Sequence, residues 1–466
     1  MLKLPKEFKD KYRKLLGTDE ADEMFTAMND TNKKSFRINP LKFNTKISYS
    51  KKAPVPNLAN AYYGAVSGQD PEWVSGTVYS QDPSAMFPAK VANVQPGEKV
   101  LDLCAAPGGK STGLGEDLKG QGVLVANEIS RPRAKVLREN LERWGVSNVL
   151  ITSESPEKLA PHFLQFFDKI LVDAPCSGEG MFRKNPEAIK YWSEDYVLTC
   201  QKRQKEILKE AVKMLRPGGE LIYSTCTFSP EEDEQIVAWL VKNFNLVITP
   251  IKSIKMDKIS HGHLDWAQNL DGLQNTLRFW PQDGLGEGQF IAKLTMPGVT
   301  IKAPIKRKNR AKKKLRNKFA LFKDEKELVA AILDKFNLPS ELNDWPKRVL
   351  VRKQHVFIPA LTGKQLDGLK ILSNGLELGI LKKKRFEPGH QLALVLGQVK
   401  QERVIDLPNQ ENYQSYLHGE TVKVDSDLRG FVLISCHNLI FSFGKIANNG
   451  VIKNYYPKGL RTLKKG

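Results

Sequence analysis

Two cysteines in this chain sit in short polar loops just after apolar, β-branched runs. Cys176 lies in ILVDAPCSGEG (170–180) and Cys226 in LIYSTCTFSPEEDE (221–234). A lone cysteine is usually a small buried hydrophobe. One placed just beyond a strand's carboxyl end lies where α/β sheets bind ligands. Two such thiols, 50 residues apart, should meet at adjacent strand ends. Asp173 accompanies Cys176, and Ser-Pro-Glu-Glu after Cys226 reads as the start of an acid-capped helix. Its N-terminal dipole would favour a nearby thiolate over the thiol.

A third motif is VLDLCAAPGGKS (100–111): a strand ending at Leu103, a small-residue loop, and a helix from about Lys110. Such a loop lets backbone amides approach a ligand closely. A Walker A loop needs glycine where Cys104 stands, and the dinucleotide pattern G-x-G-x-x-G is missing. Gly113-Leu-Gly115 falls inside the following helix and does not supply it. The third class of loop holds S-adenosylmethionine. It fits because Glu128 ends the second strand, where a carboxylate can take both ribose hydroxyls.

A methyl donor beside a thiolate has a chemical logic. Cytosine C5 is a poor carbon nucleophile, but adding a thiolate at C6 turns the ring into an enamine whose C5 accepts an electrophilic methyl. An acid such as Asp173, placed at N3, would stabilise the developing charge. The C5 proton and the thiol must then leave, and a second thiol can assist.

The elements that must position these loops are legible. KVLDLCA, GVLVANE, NVLIT, KILVDAP and GELIYSTC read as short buried strands. RPRAKVLRENLERWG and SEDYVLTCQKRQKEILKEAVKMLRPGG read as helices between them. Alternation of this kind gives a parallel sheet covered on both faces. LRFWPQ and GEGQFIAKL read as a closing hairpin. Ahead of this core lies a basic amphipathic start with SFRINPLK. After it, residues 302–318 carry ten Lys or Arg, a run that reads as a linker touching phosphate. A helical stretch and short strands with Gly/Asn turns complete the chain.

Composition narrows the partner. The 466 residues carry 72 Lys+Arg against 52 Asp+Glu, a net charge of +20, which favours a polyanion. The charged start contains no signal-peptide apolar core and no run spans a bilayer, so a cytoplasmic protein without membrane contact is expected. Five cysteines without zinc or disulfide spacing imply free thiols. Cys200 reads as helix packing and Cys436 as strand core. His261-Gly-His263 reads as a loop, and no metal site is expected.

At these motifs the chain resembles the Sun-type RNA 5-methylcytosine methyltransferases, most closely the bacterial branch acting on small-subunit rRNA. The match runs through SFRINPLK, YSQDPSAM, DLCAAPGGK, DAPCSGEG, STCTFSPEEDE and GEGQFIAKL, and less specifically into KKKRFEPGHQLAL and NYYPKGLR. The resemblance implies an α/β class I S-adenosylmethionine-dependent methyltransferase (Rossmann-like) core, a small N-terminal module, and a C-terminal RNA-binding part with a PUA-like domain. The corresponding divisions are 1–80, 81–298, a basic linker 299–325, a first C-terminal module 326–396 and a PUA-like domain 397–466. It also implies roles: Cys226 as nucleophile, Cys176 assisting release, Asp173 facing the cytosine. Cys104, Ala105, Ala106, Pro107, Gly108, Gly109, Lys110, Glu128 and Asp173 would hold S-adenosylmethionine. Ser155 stands where the family has an acid contacting adenine, beside Glu154. The implied substrate is RNA, namely 16S rRNA or the small ribosomal subunit, for a chain expected to be a monomer.

Two other readings compete. A silent RNA-binding assembly factor would need neither thiol nor Asp173. A DNA cytosine-C5 methyltransferase would carry Glu-Asn-Val after a Pro-Cys nucleophile, and this chain lacks that segment.

Overall fold

The computed structural model describes residues 2–31, 33–254, 259–298 and 319–462. The basic run 302–318 lies outside them. Two helices, α1 (Lys6–Leu16) and α2 (Thr18–Ala27), come first. Strands β1 (Ser35–Ile38), β2 (Ala61–Tyr63) and β3 (Val78–Ser80) form an antiparallel sheet in the order 2-1-3. The short α3 (Pro71–Val74) lies before β3, and α4 (Pro83–Ala92) leads into the core.

The core alternates as expected: β4 (Lys99–Asp102), α5 (Gly109–Leu118), β5 (Val123–Asn127), α6 (Arg131–Trp144), β6 (Val149–Thr152), α7 (Pro156–Leu159), β7 (Phe167–Asp173), α8 (Glu194–Met214), β8 (Leu215–Thr225) and α9 (Glu234–Phe244). The strand order 8-7-4-5-6 is parallel throughout. Both faces are buried because successive side chains on each strand point to opposite sides. Leu101, Val125, Ile170 and Leu221 join one apolar cluster, while their neighbours Val100, Leu124, Leu171 and Ile222 join the other. Each such side chain contributes about 1.5–3 kcal/mol. Strand order reverses between β4 and β7, which opens a crevice directly beyond β4.

Short strands β9 (Val247–Ile248) and β10 (Ser260–His261) flank the expected hairpin β11 (Leu277–Phe279) and β12 (Gln289–Thr295). The hairpin pairs antiparallel and closes the sheet beside β8. His261 therefore belongs to a two-residue strand, not a loop, and His263 stacks on Trp266 at 3.8 Å.

Two sequence expectations need correction here. LRPGG, read as the end of a helix, is the start of β8. Pro217, Gly218 and Gly219 cannot prolong a helix, and Gly218 turns at φ 73° before the buried strand. Among the described residues the sheet has ten strands where seven were expected, β9 and β10 being two of the additions. After β13 (Leu350–Arg352) and β14 (His355–Ile358), strand β15 (Ile371–Asn374) is the third and pairs antiparallel with β6. A sequence read strand by strand does not reveal a long-range partner of this kind. Residues 404–454 build a five-stranded sheet around the helix Gln410–His418.

Candidate functional site

Three loops converge at the carboxyl edge of the sheet. Beyond β4, Leu103 N–H donates to Leu171 O and Ala105 N–H to Asn127 O, which pins the loop between its neighbours at 3.0 and 2.9 Å. Gly108 adopts φ 116°, a conformation that disfavours a side chain, and leads into α5. The loop is then held from outside. Arg133 Nη2 donates to Ala106 O at 2.9 Å and Asn140 Nδ2 to Pro107 O at 2.8 Å.

Arg37, from SFRINPLK, is buried against the same turn. Its guanidinium donates to Gly109 O (2.9 Å), Thr112 Oγ1 (2.5 Å) and Gln81 Oε1 (3.0 Å), and pairs with Glu116 at 2.8 Å. The N-terminal strand thus shapes the start of α5, a role absent from the expectations for the chain.

Carboxylates ring this crevice. Asp102 is buried. One oxygen accepts Ser111 Oγ–H at 2.6 Å, while its Oδ1 has no partner among the described residues. Burial, with the Asp173 carboxylate nearby, pushes its pKa up to about 7, against the Ser111 hydrogen bond. Glu128 is buried just past β5. It accepts the Ser130 N–H at 2.8 Å and lies 3.4 Å from the Arg133 guanidinium. Burial and the surrounding carboxylates hold the Cys104 thiol far above the usual range, so it is an inert wall and not a nucleophile.

Asp173 ends β7. Lys110 Nζ meets its Oδ2 at 2.7 Å; Ser224 Oγ and Gln289 Nε2 donate to its Oδ1 at 2.8 and 3.2 Å. Burial opposes the Lys110 charge, but Asp173, Cys226 and Asp102 outweigh it and raise its pKa. A charged ammonium thus lies within electrostatic reach of the Cys226 sulfur.

The two expected thiols do meet, with Cys176 Sγ and Cys226 Sγ 3.4 Å apart. The hydrogen bond to Cys226, burial, and the charges of Cys226 and Glu232 hold Cys176 well above the usual thiol range. Either sulfur can donate across this contact.

The loop carrying Cys226 is fixed by Glu179, a fully buried carboxylate in DAPCSGEG. Its Oε2 accepts Tyr12 Oη–H (2.5 Å), Thr227 Oγ1–H (2.8 Å) and the Phe228 N–H (2.8 Å). Its Oε1 accepts Trp192 Nε1–H (2.7 Å) and Ser229 Oγ–H (2.8 Å). Gly180 donates to Cys226 O at 2.9 Å, and a Cβ there would lie 2.9 Å from that oxygen, so only glycine fits. Tyr12 belongs to α1, which packs Phe8 and Tyr12 onto Phe182, Trp192 and Phe228 and so braces the catalytic loops.

The acidic run after Cys226 departs from the expected capped helix. Helix α9 starts only at Glu234, and the acids turn to partners elsewhere in the chain. Glu231 pairs with Lys11 at 2.9 Å, Glu232 accepts the Ser177 N–H and Gln204 Nε2–H, and Asp233 and Glu234 hold the buried Arg278. The cation near Cys226 is Lys110, in place of a helix terminus. Burial pushes Glu232 up to about 7, against its hydrogen bonds.

Ser155 caps the short α7 and is half-buried. Beside it, one oxygen of Glu154 is engaged: Oε1 accepts the Lys370 N–H at 2.8 Å. Cys200 and Cys436 are buried packing residues. Among the described residues no group of three or more His, Cys, Asp or Glu could hold a metal ion, and no helix is long and apolar enough to cross a membrane.

The chain matches four family models: 16S rRNA methyltransferase RsmB/F over 89–295, the N-terminal domain of 16S rRNA methyltransferase RsmF over 4–83, the RsmF first C-terminal domain over 334–404, and the RsmF PUA domain over 403–462. It is 30% identical over 487 aligned positions to ribosomal RNA small subunit methyltransferase F of Vibrio parahaemolyticus, covering 98% of this chain and 97% of that one. The Shewanella loihica protein of the same name is 29% identical, covering 91% and 88%. Among solved structures, a methyltransferase homolog from Pyrococcus horikoshii is 31% identical with a TM-score of 0.56, covering 63% of this chain and 96% of that one. NSun6 from the same organism, 22% identical, shares the fold at a TM-score of 0.52, covering 62% and 98%.

Proposed function

Because the chain belongs to the ribosomal RNA small subunit methyltransferase F family, we propose that it methylates C5 of a cytosine in 16S rRNA, using S-adenosylmethionine and Cys226 as nucleophile. The observation carrying this reading is the convergence at one strand edge of a thiol pair 3.4 Å apart and Asp173 held by Lys110.

The residues beyond β4 and β5 suit the methyl donor. The unpartnered Asp102 oxygen, the buried Glu128 and the Gly108–Gly109 turn make a polar cradle. Cys104 to Lys110, Glu128, Asp173 and Ser155 would hold it, and S-adenosylmethionine when bound supplies an electrophilic methyl group. Cys226 adds to C6 of cytosine, and its electron pair raises the nucleophilicity of C5. Lys110 favours the thiolate electrostatically, and Asp173, by taking up a proton and passing it to N3, would neutralise the negative charge developing there. Cys176, the second thiol beside the adduct, assists release: C5 gives its proton to solvent water, the C5–H electron pair forms the C5–C6 double bond, and the C6–sulfur bond breaks with Cys226 leaving as thiolate.

RNA enters through the charge of the chain and its PUA domain. The modules proposed to sit around the core follow the sequence divisions: 1–80 for RNA contact, 81–298 for transfer, 299–325 as linker, 326–396 and 397–466 for RNA. Transfer of tritiated methyl from S-adenosylmethionine to 16S rRNA, but not to DNA, with 5-methylcytosine as product, is the expected result. Labelled DNA, or label at another base atom, would overturn the reading.

A further inference from the structure

A groove of about 1100 Å³ lies between α6 and the stretch from Leu350 to Asn374. It opens at Ile129 and Ser153, just past β5 and β6, and so at the edge that carries Glu128. Arg131, Lys135 and Arg138 line one wall at i, i+4 and i+7, hence on one face of α6. Arg352 and Lys370 face them from the other side, and Asp367 is the single carboxylate of the lining.

Arg131, Lys135, Arg352 and Lys370 are exposed, and their side chains have no hydrogen-bond or ion-pair partner among the described residues. Arg138 has Glu142 at 3.6 Å. Cations on a merely solvated face point apart. These line two walls of one concave channel, where like charges add to a field that attracts a polyanion. Between the cations the channel is apolar: Ile129 is 66% exposed, and Phe357 is half-buried. Phosphate-binding cations interleaved with an aromatic and an aliphatic surface are the chemistry of an unpaired strand, whose bases can lie on the apolar floor. A duplex keeps its base faces stacked inside and offers nothing to that floor.

We infer that this groove holds a single-stranded RNA segment flanking the target cytosine, its phosphates on Arg131, Lys135, Arg352 and Lys370 and a base on Phe357. The inference rests on RNA being the substrate. The β6–β15 pairing that docks residues 371–374 on the catalytic sheet builds the groove and fixes it relative to the thiols.

The test uses the full chain and a fluorescein-labelled 12-nucleotide RNA, single-stranded or annealed to its complement, titrated across salt concentrations. The Arg131→Gln/Lys135→Gln/Arg352→Gln variant should lose about two from the slope of log affinity against log salt for the single strand, since each phosphate contact there is worth roughly 0.7. Phe357→Leu should lower single-strand affinity at least about fivefold at every salt without moving the slope. S-adenosylmethionine affinity should stay native in both. An unchanged slope in the triple variant overturns the groove, as does an equal loss on the duplex. So does a native slope together with lost binding of polyglutamate, which would assign the groove to an acidic protein partner. If the native protein binds neither RNA, the substrate reading itself falls, and this inference with it.

Discussion

The loop after β8 and the loop after β4 leave the same sheet edge but are held by opposite means. Around Cys226, the carboxylates turn inward: Glu179 takes five donors, Glu232 takes Ser177 and Gln204, and Asp233 and Glu234 grip Arg278, with Asp233 Oδ2 held by charge and not by a hydrogen bond. Around Cys104 to Lys110 the backbone is held by side chains reaching in from Arg37, Arg133 and Asn140, while Asp102 keeps an oxygen unpartnered. If Cys226 is the nucleophile, it must arrive at one place each turnover, and a loop held by this many internal hydrogen bonds would deliver it there. A cofactor loop must leave acceptors for its ligand.

The difference can be broken from either side. The largest effect belongs to Glu179→Ala, which leaves five buried donors without an acceptor. At about 1–3 kcal/mol for each unsatisfied group, partly relieved by rearrangement, stability should fall by at least ~3 kcal/mol in urea unfolding. A variant unfolding like the native protein would show that the loop is held by something else.

On the cofactor side, Arg37→Lys keeps the charge but cannot bridge Gly109, Thr112, Gln81 and Glu116 together. Affinity for S-adenosylmethionine should drop by ~1–2 kcal/mol in calorimetry, about tenfold, with Cys226 still alkylated by iodoacetamide at the native rate. Loss of both would mean that the two loops are one unit.

Glu232 sharpens the comparison through pH. Its carboxyl is raised from 4.5 to about 7 in the folded chain. Between those values the native state binds more protons than the unfolded state, so its contribution to stability is full below 4.5 and is lost as pH rises through about 7. Glu232→Gln should remove that loss. The native-minus-variant stability should thus fall by about 1–3 kcal/mol from pH 4.5 to 8. Asp102, Glu116 and Glu142 are raised to about 7 as well, so the difference between the proteins is the quantity to measure. A flat difference would contradict the burial argument.

The smallest effect is at Ser155. If its hydroxyl holds the adenine edge, Ser155→Ala should weaken S-adenosylmethionine by ~0.5–1.5 kcal/mol. An unchanged affinity would move the contact to Glu154, whose Oε1 alone is taken by the Lys370 N–H, or to backbone.

The strand ends that carry Cys104, Asp173, Cys176 and Cys226 were legible because apolar β-branched runs of four to eight residues have a clear boundary, and polar motifs begin there. The bracing was not. Glu179 stands in a loop of small residues with no period to mark it, and its donors come from residues 12, 192 and 227–229. The acids at 231–234 look like a helix cap locally, since a capping pattern and a set of long-range partners have the same sequence. The β6–β15 pair was likewise invisible, because residues 371–374 are only a short apolar run until their partner is known.

The central claim is that Cys226 attacks and Cys176 releases. Incubating the chain with S-adenosylmethionine and RNA containing 5-fluorocytidine at the target tests it directly, because fluorine blocks proton loss from C5 and traps the adduct. A denaturation-resistant protein–RNA band should form with the native chain, vanish in Cys226→Ala, and appear even on unmodified RNA in Cys176→Ala. A band that survives Cys226→Ala and disappears in Cys176→Ala would assign the nucleophile to the other thiol and contradict the account.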